Sequence, residues 1–136
     1  RYEEYRRELN EKIGWRSRFI SETLREVPEL TFNPTYGAFY NTIVFKPGTL
    51  SQTQTLPIVN GKVQQLVEQW VKGVSLDFRF VYYLLGATGI CVVPISSFCS
   101  NLLGFRVTLL EEDEDLLKKT FTKLKSAIRE YLDSQI

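Results

Sequence analysis

Thr88-Gly89-Ile90-Cys91-Val92-Val93-Pro94-Ile95-Ser96-Ser97-Phe98 and, a few residues on, Gly104-Phe105-Arg106-Val107-Thr108-Leu109-Leu110 carry the pattern that decides the fold. Ile90 to Val93 is a short apolar run stopped by Pro94, which reads as a brief buried strand with Cys91 as a small hydrophobe inside it. A loop from Pro94 to Leu103 follows. Phe105 to Leu110 then alternates, with Phe105, Val107 and Leu109 on one face and Arg106, Thr108 and Leu110 on the other. Successive strand side chains point to opposite sides, so Arg106 faces away from its aromatic neighbour.

Downstream, the acidic run Glu111 to Asp115 suits the positive end of a helix dipole. The helix it opens buries Leu117, Phe121, Leu124, Ile128 and Tyr131, and leaves Lys118, Lys119, Lys123, Lys125 and Arg129 in solvent. Upstream, Ser75 caps a helix carrying Phe78, Val81, Tyr82 and Leu85, which Gly86 or Gly89 ends. Lys62 to Lys72 forms another, with Val63, Leu66, Val67 and Trp70 on one side and Gly73 at its close. Thr49 to Asn60 is a long polar connection, expected to be mobile or to pack along an edge. Leu30 to Phe32 and Ala38 to Phe45 read as strands, the second introduced by Asn33-Pro34-Thr35-Tyr36-Gly37 and ended by Lys46-Pro47-Gly48. Residues 1–27 place Tyr2, Tyr5, Leu9, Ile13, Ile20, Leu24 and Val27 at helical spacing, with Trp15 and Phe19 widening the stripe and Pro28 ending it. A first helix this long is expected to extend past the body. The order of elements predicts an α+β, two-layer domain over residues 1–136, with a small, mostly antiparallel sheet and helices on one face. The other face is left for a second domain to cover.

The 136 residues include 17 basic and 16 acidic side chains, two Cys, no His and no Met. Without His there is no Ser-His-Asp triad, no Cys-His pair and no imidazole metal ligand; no metal site and no catalytic residue is expected within the chain. Balanced, scattered charge argues against nucleic acid. The longest apolar run is too short for a bilayer. Two cysteines are no disulfide scaffold and the first thirty residues lack the basic-then-apolar pattern of a signal peptide, so a cytoplasmic setting is expected. The absent Met and the charged opening at Arg1 suggest a piece of something longer, the missing part lying upstream.

The two quoted stretches resemble the C-terminal small domain of fold-type I, pyridoxal-phosphate-dependent aminotransferases, in the class I/II branch similar to alanine and aspartate aminotransferases. That family has a helix ending in a Thr-Gly turn, a strand, a Pro-Gly-Ser-x-Phe-Gly loop, and a strand with an Arg just after an aromatic residue. The long first helix, Tyr36-Gly37-Ala38-Phe39-Tyr40 and the long last helix follow in the family's order, with residues 46–74 matching least. Two positions depart from the pattern. Ile95 stands where the family usually has Gly after the loop Pro, and Cys99 where it often has Gly after the loop Phe. A different loop path or a narrower pocket is the expected consequence.

The resemblance implies transfer of an amino group between an amino acid and a 2-oxo acid, with Arg106 holding the substrate α-carboxylate. A planar five-donor fork matches a carboxylate bidentately, and Lys does not reproduce it. It also implies that Gly37 and Tyr40 run near the substrate and that Ser96 offers a polar contact. These same residues have plainer readings, as a strand start with core aromatics and a turn-stabilising hydroxyl. Pyridoxal phosphate, its Schiff-base lysine and its phosphate cradle are implied to belong to a large domain of the same chain, so no cofactor-binding residue and no activity is expected of residues 1–136 alone. The family further implies a homodimer. A lyase of the same fold, similar to aspartate β-decarboxylase or aminocyclopropane-carboxylate synthase, uses the same clamp, and a non-catalytic interaction module is the alternative from another class.

Overall fold

The computed structural model describes residues 1–135, and its elements follow the periodicities of the sequence. They are α1 (Tyr2–Arg25), β1 (Leu30–Thr31), β2 (Tyr40–Phe45), α2 (Gly61–Trp70), α3 (Leu76–Thr88), β3 (Val93–Pro94), a 3-10 turn (Ile95–Phe98), β4 (Gly104–Thr108) and α4 (Glu114–Asp133). The sheet order is β1-β2-β4-β3, and every neighbouring pair is antiparallel. The chain is thus a small α+β fold, as its order of elements predicts.

The β2–β4 ladder forms the centre, from Tyr40 opposite Thr108 to Val44 opposite Gly104. Alternation sends Ile43, Phe45, Phe105 and Val107 into the core, while Thr42, Val44, Arg106 and Thr108 occupy the other face. The α1 helix packs on α4, α2 on α3, and α3 on both α4 and β4. An aromatic cluster joins the layers: Phe80 meets Phe45 edge-on at 5.1 Å, Tyr131 edge-on at 5.2 Å and Phe105 at 5.5 Å. Such pairs add about 0.5–1.5 kcal/mol each beyond the area they bury.

Helix ends obey local chemistry. The Asn60 side chain accepts from the Lys62 and Val63 amides, and Asp113 accepts from Leu116. Gly89, in the left-handed conformation at φ 75, ends α3, whereas Gly86 sits inside it. An alanine Cβ at Gly86 would lie 2.8 Å from Ile58, so that glycine serves close packing rather than capping. Residues 2–12 of α1 are exposed, including Tyr2, Tyr5 and Leu9. Farther along, Trp15 stacks on Phe19, and Ile20 and Leu24 are fully buried.

Several expectations shift. Only Val93 and Pro94 pair with β4, so the strand expected over Ile90 to Val93 is shorter and later. Cys91 is exposed rather than buried, because the period-two phase places Val92 inside and Cys91 and Val93 outside. The second strand starts at Tyr40, since Ala38 at φ 57 breaks extended backbone. The polar connection packs on the helices: Leu50, Leu56 and Ile58 are buried, Gln54 is fully enclosed, and the Thr55 amide donates to the Ser134 hydroxyl just past α4. The Gln54 side chain accepts from the Ser51 amide and donates to the Thr49 carbonyl, both at 2.8 Å. Arg79 donates to the Gln54 carbonyl at 3.0 Å, fixing this segment on α3.

Candidate functional site

Pairing sets the surroundings of Arg106. On the sheet face turned away from the helices its neighbours across the ladder are Thr42 on β2 and Val93 on β3. Neither can pair with a cation. Instead, the guanidinium lies between two rings, with its carbon 4.3 Å from the Phe98 centroid and 5.2 Å from that of Tyr40. Cation–π attraction of this kind contributes about 0.5–2 kcal/mol, depending on solvent. It also restrains the plane of the fork.

Among the described residues the Arg106 side chain makes no hydrogen bond or ion pair, and its Nε is buried without an acceptor. The side chain as a whole is half-buried. A cation drawn partly out of water and given no anion is an incomplete arrangement, because charged groups removed from solvent are normally paired. On the far side of Tyr40, toward β1, lies a depression of about 380 Å³ lined by Thr35, Tyr40, Thr42 and Val44, among others; Arg106 does not line it. The chemistry on offer is that of an anion receptor with aromatic walls.

Phe98 reaches Arg106 because the 3-10 turn is fastened to the start of α3. Asp77 is fully buried there. Its Oδ1 accepts from the Ser75 hydroxyl at 2.7 Å, the Ser96 hydroxyl at 2.7 Å and the Phe78 amide at 2.9 Å. Its Oδ2 accepts from the Ser96 amide at 2.9 Å. Burial pushes the Asp77 carboxyl up, but hydrogen bonds from the Ser96 and Ser75 hydroxyls and from the Ser96 and Gly104 amides outweigh it and hold it below the usual carboxylate range. The Ser97 hydroxyl donates to the Pro94 carbonyl and closes the turn.

Of the residues singled out in the sequence, the structure brings Arg106 and Tyr40 together. The Ser96 hydroxyl is directed at Asp77 and Ser75 rather than at Arg106. Gly37 lies in an exposed bend, where an added Cβ would meet nothing within 4 Å. Thr35 closes that bend by donating from its hydroxyl to the Tyr40 carbonyl at 3.1 Å. Phe98 and Asp77 have no role from the sequence. The only sign of Asp77 is a Ser-x-Asp at a helix start, which ordinary dipole chemistry also accounts for. At the two departures from the family pattern, Ile95 is buried at the head of the turn, and Cys99 adopts φ 57, a conformation that favours glycine.

The lysines do not gather at this face: Lys12 is on α1, Lys46 follows β2, Lys62 is in the first turn of α2, Lys72 follows that helix, and the rest are on α4. All are exposed except Lys125, which pairs with Glu26 at 2.7 Å. A pyridoxal phosphate site needs a sheltered lysine amine and a phosphate cradle. These lysines do not fit that group. Among the described residues no three His, Cys, Asp or Glu side chains are grouped to hold a metal, and no helix is long and apolar enough to cross a membrane.

The chain is 41% identical over 131 residues to an uncharacterized aminotransferase of Methanocaldococcus jannaschii, covering 96% of this chain and 30% of that protein. The chain is homologous to aminotransferases. Alanine aminotransferase 1 of Bos taurus is 29% identical over 118 residues, covering 85% of this chain and 21% of the bovine protein. Alanine aminotransferase 2 of Xenopus laevis is 28% identical over 123 residues, covering 89% of this chain and 20% of the frog protein. The chain therefore spans less than a third of the length of these relatives. No family model matches it.

Proposed function

We propose that this chain is the C-terminal small domain of a pyridoxal-phosphate-dependent aminotransferase of fold type I, and that Arg106 binds the α-carboxylate of the amino-acid or 2-oxo-acid substrate. The observation that carries this reading is the half-buried guanidinium held between Phe98 and Tyr40, with no acceptor among the described residues. The named relatives favour amino-group transfer over a lyase that uses the same clamp.

On this reading the residues of the chain bind and orient. Arg106 takes the two carboxylate oxygens through parallel N–H donors, a contact in which each charge-assisted bond contributes about 1.5–3 kcal/mol. Phe98 and Tyr40 fix the plane in which those donors lie and exclude water from its faces. Gly37 leaves the backbone before Tyr40 open to close approach, and Ser96 serves through the turn it anchors. Pyridoxal phosphate, when bound by the larger protein, supplies the electron sink that amino-group transfer requires. It belongs to the remainder of that protein, together with its lysine and phosphate cradle, and a homodimer is the expected assembly.

The test is the amino-acid half-reaction of the longer protein. Arg106→Ala should leave cofactor absorbance intact and impair amino-acid binding and turnover. An unchanged half-reaction removes Arg106 from the site.

A further inference from the structure

We infer that Asp77 is a positioning residue for substrate binding: through the 3-10 turn at Ile95–Phe98 it sets Phe98 against Arg106 and so fixes the plane of the carboxylate-binding fork. The inference rests on the assignment of Arg106 proposed above and adds to it a residue that touches no substrate.

The connection is continuous. Asp77 belongs to α3, yet two of its donors, the Ser96 hydroxyl and the Ser96 amide, come from a turn 19 residues away in sequence. Ser75 strengthens the join, since its hydroxyl lies 2.7 Å from Asp77 Oδ1 and 3.0 Å from the Ser96 hydroxyl. Ser96 is therefore held at both its main-chain and side-chain donors. Phe98 follows two residues later, within the same short helix, and its ring lies 4.3 Å from the Arg106 guanidinium carbon.

Phe98 is 50% exposed, so burial does not fix its position. Arg106 in turn has no polar partner to set its orientation and depends on the rings that flank it. Asp77, fully buried and bound at both carboxylate oxygens, is the rigid end of this chain of contacts. A carboxylate that only capped α3 would need neither donor from Ser96.

The experiment uses the longer protein, loaded with cofactor, and reads KM for the amino acid separately from kcat, together with the thermal unfolding midpoint. Asp77→Asn keeps the side-chain volume but turns an acceptor oxygen into a donor, and should raise KM about tenfold or more, within the range that small misplacements of a binding group produce. Phe98→Leu should raise KM similarly, and Phe98→Tyr should restore it. In an Arg106→Ala background Asp77→Asn should add less than about twofold, because the group it positions is gone. Should Asp77→Asn not yield folded protein, Ser96→Ala carries the same test.

If Asp77→Asn or Ser96→Ala lowers the unfolding midpoint while KM stays within twofold, and Arg106→Ala raises KM, the clamp stands and the positioning role is overturned. The positioning role is also overturned if Asp77→Asn raises KM equally with and without Arg106. If Arg106→Ala itself leaves KM unchanged, the clamp reading fails first and the inference falls with it.

Discussion

Gly104→Ala adds a single methyl group where the central strand β4 runs against the backbone of β2. The new Cβ would lie 2.1 Å from the Ile43 carbonyl oxygen and 2.9 Å from Val44 Cα, both backbone atoms of β2. No rotamer change relieves a backbone contact. Restoring ordinary van der Waals separation requires β2 and β4 to part locally by about 1 Å, and the core resists, because Ile43 and Phe105 are fully buried and Phe105 packs on Phe45 and Phe80. Overpacking typically costs about 1–3 kcal/mol, and a clash with backbone belongs at the upper end. Loss of glycine's freedom in the unfolded chain offsets about 0.4–1 kcal/mol, leaving a net loss of about 2 kcal/mol. At roughly 4 °C per kcal/mol for a chain of this size, the melting temperature should fall by about 8 °C. Urea unfolding followed by circular dichroism would measure it, with Gly61→Ala as the control: a Cβ there meets nothing within 4 Å, at the first turn of α2. That control should be neutral or slightly stabilising. A Gly104→Ala loss below about 0.5 kcal/mol would refute the close approach of the two strands, and with it the register that sets Arg106 opposite Thr42.

Arg106→Lys in the longer protein should reduce kcat/KM for the amino acid by roughly 10- to 150-fold, equivalent to one charge-assisted bond of about 1.5–3 kcal/mol, as steady-state kinetics will show. Cys99→Gly should stabilise the chain by about 1 kcal/mol in urea unfolding, because Cys99 holds a left-handed backbone that glycine adopts without penalty. A destabilised Cys99→Gly would mean that the thiol contributes packing its exposure does not suggest. Asp77 predicts an acid-side dependence: its carboxyl is depressed on folding, so its contribution is full above the ordinary carboxylate value near 4 and is lost as pH falls through the lower folded value. Unfolding free energies of wild type and Asp77→Asn measured down the acid limb should therefore converge; parallel curves would contradict the depressed carboxyl.

Periodicity made the architecture legible because each long element exposes one face and buries another. The stripe Leu117, Phe121, Leu124, Ile128 and Tyr131 is the buried face of α4, and the alternation around Arg106 fixes its side of the sheet. Short elements carry too little pattern: two residues of β3 pair where four are apolar, and Cys91 lies outside because phase, not composition, decides which residues face in. Of the candidate residues read from the sequence, the structure brings Arg106 and Tyr40 together, while Ser96 turns to Asp77 and Gly37 lies in an exposed bend. What joins Phe98 and Asp77 to Arg106 and Tyr40 is a contact between residues 19 apart in sequence and two hydrogen bonds to a buried carboxylate, neither of which leaves a periodic trace. Gln54 shows the same limit, since a polar residue in a polar connection gives no sign that it is fully enclosed.

The face that carries Arg106 has features that stability alone does not explain. A sheet surface left to water favours Thr and charged side chains whose heads stay in solvent, and Thr42 and Thr108 fit that rule. Arg106 does not, for its Nε is buried without an acceptor and aromatic rings, not a carboxylate, lie over its guanidinium. An unpaired buried donor costs about 1–3 kcal/mol, which an apolar residue at this position would avoid. Tyr40 and Phe98, each roughly half exposed, add apolar surface to the same region. These costs are recovered if an anion completes the guanidinium and another surface covers the rings. Both follow from the same proposal, in which the chain contributes less than a third of a longer aminotransferase and its open sheet face turns toward the substrate.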